Sequence, residues 1–144
     1  LFRLVGSEMC IRDRDMAAEL RCENSWENLI YARSKLVHAA ASIGVDVLDV
    51  PYLDLENMEG MKKEAELAKN LGFSGKGSIH PKQIDILNKV FTPSKEEIDH
   101  AKKIVDQFNS SNTGLVVIDG KLIEKPVLRE MQRKILIADK INKN

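Results

Sequence analysis

The chain has 144 residues, 22 basic and 22 acidic side chains, and 43% hydrophobic residues. This charge balance argues against a polyanion partner such as nucleic acid, and no run approaches the ~20 apolar residues of a membrane span. Of the two cysteines, Cys10 falls in an opening segment expected to be non-native, so Cys22 is left alone and cannot build a disulfide framework, which favours a reducing cytoplasm.

The first fourteen residues show neither a helical nor an alternating apolar period, and they lack the apolar core and cleavage site of a signal peptide. Leu4 to Asp13, LVGSEMCIRD, match the translation of a transposase adapter used in DNA library preparation; its next bases begin an Arg codon, in keeping with Arg14. Residues 1–14 are therefore expected to be a non-native, adapter-derived segment and are set apart from the fold. Without them, 130 residues with 19 basic and 20 acidic side chains remain, and Cys22 is the one cysteine. That length suits a small domain but falls short of the ~250 residues of a complete β/α barrel.

From Asp15 onward, helical patterns alternate with short β-rich runs, which predicts parallel β/α units. Asn24 and Glu27 predict a capping box for a helix whose apolar face runs from Trp26 through Leu29, Ile30, Leu36, Val37 and Ala40 to Ile43, ending at Gly44. VDVLDVPY is apolar on both alternating faces, as in a buried parallel strand, and Pro51 stops it. A second helix follows with Met58, Met61, Ala65 and Ala68 inward and Gly72 past its end. GKGSIHP predicts a weaker strand whose glycines allow a neighbouring chain or ligand to approach the backbone. Pro81 then opens a helix with Ile84, Leu87 and Phe91 as its buried stripe. A Ser94/Glu97 box starts another, continued by Ile98, Ala101, Val105 and Phe108.

Polar NSSNT predicts a loop and a division near residue 112. GLVVIDGKLIEKP predicts a hairpin with a type I′ turn at Asp119 and Gly120, and Pro126 opens a final helix through Val127, Met131, Ile135 and Ala138. The expected organisation is thus 15–111 as truncated β/α units and 112–144 as a hairpin and helix.

On this reading Asp15, Asp49 and His80 stand at or just beyond the C-terminal ends of successive strands, roughly 30 residues apart, on the reactive rim of a β/α barrel. Each alone fits a plain structural role: Asp15 as a cap, Asp49 as a solvated strand end, His80 as a hydrogen-bonded residue before proline. Together, residues on one rim can converge on a ligand. FSGKG looks like a phosphate cradle but carries neither the dinucleotide fingerprint nor the P-loop pattern, leaving Lys76 as the candidate phosphate contact.

DMAAEL, YARSKLVHAAASIGVDVLDVPYLDLENMEG, LGFSGKGSIHPKQI, VFTPSKEEIDHAKKIV and DGKLIEKPVLREMQRKIL resemble, in that order, the C-terminal half of the citrate lyase beta subunit-like family. This family includes malyl-CoA and citramalyl-CoA lyases, and the resemblance spans residues 15–140. It implies an α/β fold, the C-terminal part of a TIM (β/α)8 barrel followed by a small hairpin-plus-helix lid. It also implies an enzyme: a Mg²⁺-dependent carbon–carbon lyase that cleaves or forms a hydroxyacyl-CoA thioester from an acyl-CoA and a 2-oxo acid such as glyoxylate or pyruvate. A hard cation suits that chemistry because it prefers oxygen ligands and can chelate the oxo acid.

Asp15 matches the family's metal-binding Asp, although Arg14 stands where the family has Glu. A second metal-binding Glu and an Arg that grips the oxo acid lie upstream in the family, so the chain alone is expected to be inactive. Glu124 matches an acidic lid residue that reaches a neighbouring subunit's active site, which implies a catalytic role in trans and a homo-oligomer, commonly a trimer. Pro51, Tyr52, Lys76 and His80 occupy the loops where CoA contacts are expected. Two alternatives remain: a citrate lyase beta subunit acting on a citryl thioester of an acyl carrier partner, and a non-catalytic CoA-binding or assembly module.

Overall fold

Two short strands, β1 (Leu48–Asp49) and β2 (Gly75–Lys76), pair in parallel with Leu48 opposite Gly75 and Asp49 opposite Lys76. The computed structural model describes residues 13–111, 116–118 and 120–141. It divides into two units, Leu1–Phe91 and Thr92–Asn144. The division expected near residue 112 falls beside residues 112–115, which lie outside the described residues, as do residues 1–12 of the expected adapter segment.

In the first unit, β1 and β2 alternate with α1 (Asp13–Leu20), α2 (Trp26–Ile43), α3 (Met58–Leu71) and α4 (Pro81–Phe91). The cap of α2 is Ser25, whose hydroxyl accepts from Asn28 N at 3.3 Å, and not the expected Asn24. Ser25 has the extended backbone that a cap requires, while Asn28 Nδ2 donates to Glu23 O at 3.0 Å and closes the preceding turn. Gly44 ends α2 at φ +69°, its N–H bonded to the carbonyls of Ala40 and Ala41. Asn57 caps α3 through Gly60 N at 2.8 Å.

The strands are shorter than the apolar runs suggest, yet the ladder continues where Ser74 N donates to Val47 O and Gly77 N to Asp49 O, both at 2.9 Å. The glycines permit this contact. A Cβ on Gly75 would lie 2.8 Å from Leu48 Cδ2, and one on Gly77 would lie 2.9 Å from Pro51 Cγ. Ala40, Val47, Val50, Ala68 and Phe73 form the main core, and Met61, Ala65 and Leu87 a second one.

Asp15 lies in the first turn of α1, whose Met-Ala-Ala-Glu-Leu run consists of strong helix formers; the residues that would form a strand before it lie outside the described residues. The buried stripe expected for α4 needs correction. On α4, Ile84 is 48% exposed and Gln83 is fully buried. The helix is turned so that the Gln83 amide meets the backbone of two loops.

In the second unit, α5 (Lys95–Ser110) packs against α6 (Lys125–Ile141) and against β3 (Val116–Ile118), which pairs antiparallel with β4 (Lys121–Ile123). The Ser94/Glu97 capping box forms, with Glu97 N donating to Ser94 Oγ at 3.2 Å and Ser94 N to Glu97 Oε2 at 2.8 Å. Gly120 has φ +76°; its expected turn partner Asp119 lies outside the described residues. Ala101, Ile104, Ile118, Ile123 and Met131 make this unit's core. Among the described residues no helix is long and apolar enough to cross a membrane.

Candidate functional site

Where β1 ends, the chain turns outward through Val50, Pro51 and Tyr52. This loop, the first turn of α1, the Asn24–Trp26 turn and Glu64 of α3 enclose a cleft of about 620 Å³, within the range of small-molecule sites. Its apolar wall is Trp26, Val50, Pro51, Tyr52 and Leu53, and its charged groups are Arg14, Asp15, Arg33, Asp54 and Glu64. Acceptors and cations thus share a partly apolar cleft, a composition suited to a ligand with both charged and neutral parts.

Beneath the cleft lies a balanced set of four charges. Lys76 Nζ donates to Asp49 Oδ2 at 2.7 Å and to Glu64 Oε1 at 2.6 Å, and Arg33 Nε donates to Asp49 Oδ1 at 3.3 Å. Arg33 Nη2 lies 4.0 Å from Glu64 Oε1, and its guanidinium stacks 4.4 Å from the Trp26 ring centroid. The side chains of Asp49 and Lys76 are completely buried. Burying three of these charges is unfavourable unless each finds a partner, and here every cation meets a carboxylate.

Gln83 joins the two strand-end loops. Its Oε1 accepts from Ile79 N at 3.0 Å and Ser78 Oγ at 3.1 Å, while its Nε2 donates to Tyr52 O at 2.8 Å. Tyr52 also accepts from Asn57 Nδ2 through its hydroxyl at 3.3 Å. Desolvation, followed by the nearby Asp54 and Glu64 carboxylates, pushes the Tyr52 phenol above its ordinary value, so it remains protonated.

The cleft brings together Asp15, Pro51 and Tyr52 among the residues singled out from sequence. Asp49 does end β1, but it is buried under the ion pairs and does not line the rim. Lys76, expected as a phosphate contact, is likewise enclosed, because two carboxylates hold its ammonium. His80 is half-buried and its Nδ1 accepts from Lys82 N at 3.2 Å, which puts the proton of the neutral ring on Nε2. Glu124 is exposed in the second unit, between β4 and α6. Among the described residues no three acidic, His or Cys side chains gather as a metal cage.

Trp26, Arg33, Glu64 and Gln83 were not anticipated as parts of the site. The signal was present for Arg33, which falls on the apolar stripe of α2 between Leu29 and Val37, and for Glu64, which falls on the stripe of α3 between Met61 and Ala68. A charged residue on an inward face requires a buried partner.

Comparison with known proteins identifies the fold around this cleft. The chain is similar to the citrate lyase subunit beta of Escherichia coli K12, with 36% identity over 131 residues, 88% of this chain and 43% of that protein. It is similar to human mitochondrial citramalyl-CoA lyase, with 30% identity over 132 residues, 88% of this chain and 39% of that protein. The crystal structure of Mycobacterium tuberculosis protein CitE in complex with magnesium, acetoacetate and coenzyme A superposes with a TM-score of 0.75. That match has 27% identity and covers 88% of this chain and 50% of the other. The chain therefore spans less than half the length of these curated relatives. Residues 14–141 match the family model for C-C bond lyases of the TIM-barrel fold, and the chain belongs to that family.

Proposed function

We propose that this chain is the Asp15-bearing part of a Mg²⁺-dependent carbon–carbon lyase that cleaves or forms a hydroxyacyl-CoA thioester from an acyl-CoA and a 2-oxo acid, and that it is inactive by itself. The observation that carries this reading is the cleft at the end of β1, where Asp15 lines the same cavity as Pro51 and Tyr52. In a TIM-barrel family the C-terminal strand ends are where chemistry is carried out.

The donor set fits magnesium in part. Mg²⁺ takes one or two carboxylates and completes its octahedron with water and substrate oxygens, so Asp15 can serve as one protein ligand without a three-residue cage. Asp49 is buried and held on both oxygens by Arg33 and Lys76, so it is not available as a second. When bound, the ion supplies Lewis-acid stabilisation to the oxygens of the oxo acid.

The chain's own residues orient the remainder of the substrate. Pro51 and Tyr52 offer a firm apolar surface to the thioester arm, fixed from behind by Gln83, and the protonated Tyr52 phenol keeps an O–H donor in the cleft. His80 presents an Nε2–H donor from the neighbouring loop. Glu124, exposed on the appendix, acts in trans at a neighbouring subunit of a homo-oligomer, a trimer in this reading. The free thiol of Cys22 suits the reducing cytoplasm.

The test is turnover by the full-length protein carrying these residues. Malyl-CoA or citramalyl-CoA should release an acyl-CoA and the matching 2-oxo acid only with Mg²⁺ present, and EDTA should stop it. Cleavage confined to a citryl thioester on an acyl carrier protein would identify the citrate lyase reaction instead. No cleavage of any of the three would leave the non-catalytic module and refute the lyase.

A further inference from the structure

Glu64 is the member of the buried ion-pair quartet that opens on the cleft. Its side chain is 24% exposed, whereas those of Lys76 and Asp49 are fully covered. Among the described residues its contacts fall on one oxygen, Oε1, from Lys76 Nζ at 2.6 Å and Arg33 Nη2 at 4.0 Å. We infer that Glu64 is a ligand-binding residue of the cleft, its Oε2 accepting a hydrogen bond from an amide N–H in the uncharged arm of the thioester. The inference rests on the CoA-thioester reading above and adds a residue and a recognition element to it.

Three physical features support this role. Lys76 and the rigid α3 helix fix the carboxylate before any ligand arrives, so little side-chain freedom is lost on binding. An ionised carboxylate has no proton to donate and repels phosphate and carboxylate groups, so it selects a neutral donor segment over the charged ends of the molecule. The third feature is the neighbouring wall. Gly60 precedes Glu64 by one turn of α3, and a Cβ there would come 2.5 Å from the Tyr52 hydroxyl. The missing side chain lets Tyr52 lie over the first turn of α3, next to Glu64. An acceptor beside an aromatic surface matches an arm that alternates amides with methylene groups: the N–H meets Glu64 and the methylenes cover Tyr52 and Pro51.

Glu64→Gln and Glu64→Asp in the full-length protein test the idea, with binding of CoA and of pantetheine measured by titration calorimetry. Glu64→Gln keeps the shape but removes the charge, and Glu64→Asp keeps the charge but cannot span Lys76 and the ligand together. Both should weaken both ligands by the same factor, about 10- to 100-fold for a hydrogen bond to a charged group, while Mg²⁺ affinity stays unchanged. Pantetheine and CoA bound as tightly as by the parent protein would overturn the inference, as would a loss confined to CoA, which would point to the nucleotide end. A parent protein that binds neither ligand would instead refute the CoA-thioester reading on which the inference rests.

Discussion

Lys76 sits where two carboxylates converge, and it illustrates how a residue with the chemistry of a phosphate ligand becomes part of the floor. Replacing it by Met would leave Asp49 buried with half its compensation. The Lys76→Met chain should lose about 3–5 kcal/mol of stability, the usual cost of orphaning a buried charge, seen as a lower urea midpoint. At this scale the sequence was readable where a residue's role follows from its position in the chain. Pro51 and Tyr52 reach the cleft because they follow β1, and Asp15 because it stands in the first turn of α1. The inward place of Glu64 shows in the stripe of α3, but its pairing with Lys76 does not, since the two are 12 residues apart and meet only once β2 has paired with β1. Nor was the sequence readable for Gln83: a polar residue before an apolar Ile84 gives no hint that it, and not its neighbour, is the buried one.

Helix boundaries follow from local chemistry, and there the agreement between pattern and structure is close. Gly44 and Gly72 end α2 and α3 in the left-handed region, and Ser94 opens α5 through its reciprocal bonds with Glu97. Ser94→Ala should therefore destabilise the second unit by about 1 kcal/mol, measured as a drop in the thermal midpoint. Glu96, in the same first turn, is held below the usual carboxylate range by its backbone amide and by Ser94. Because its folded value is lowered, its contribution is present above the ordinary Glu pKa and fades as pH falls through the lowered one. Part of that acid-side slope should vanish in Ser94→Ala, and an unchanged slope would argue against this cap. Strands were harder to delimit. VDVLDVPY offers apolar residues on both alternating faces over eight positions, but β1 extends over Leu48–Asp49, because a strand's length is set by its partner and here β2 is itself limited to Gly75–Lys76. The helix at Asp13–Leu20 went unrecognised because eight residues are too few to display a period.

At the scale of the whole molecule, the chain carries the family fold over less than half the length of its curated relatives. On the proposed reading, a complete site draws on residues beyond those present here and on a neighbouring subunit. Glu124→Ala in the full-length protein should reduce turnover while leaving Mg²⁺ affinity intact. If that residue acts in trans, mixing impaired Asp15→Asn and Glu124→Ala subunits should restore about a quarter of parental activity, since randomly assembled rings contain some sites with both residues intact. No recovery on mixing would remove Glu124 from the neighbour's site. The proposed lyase chemistry depends most on Asp15 as a magnesium ligand. The most direct measurement is a calorimetric Mg²⁺ titration of the full-length protein and its Asp15→Asn variant, alongside their thermal midpoints. The prediction is an affinity loss of at least roughly 10-fold with an unchanged midpoint; equal affinity in the two proteins would contradict it.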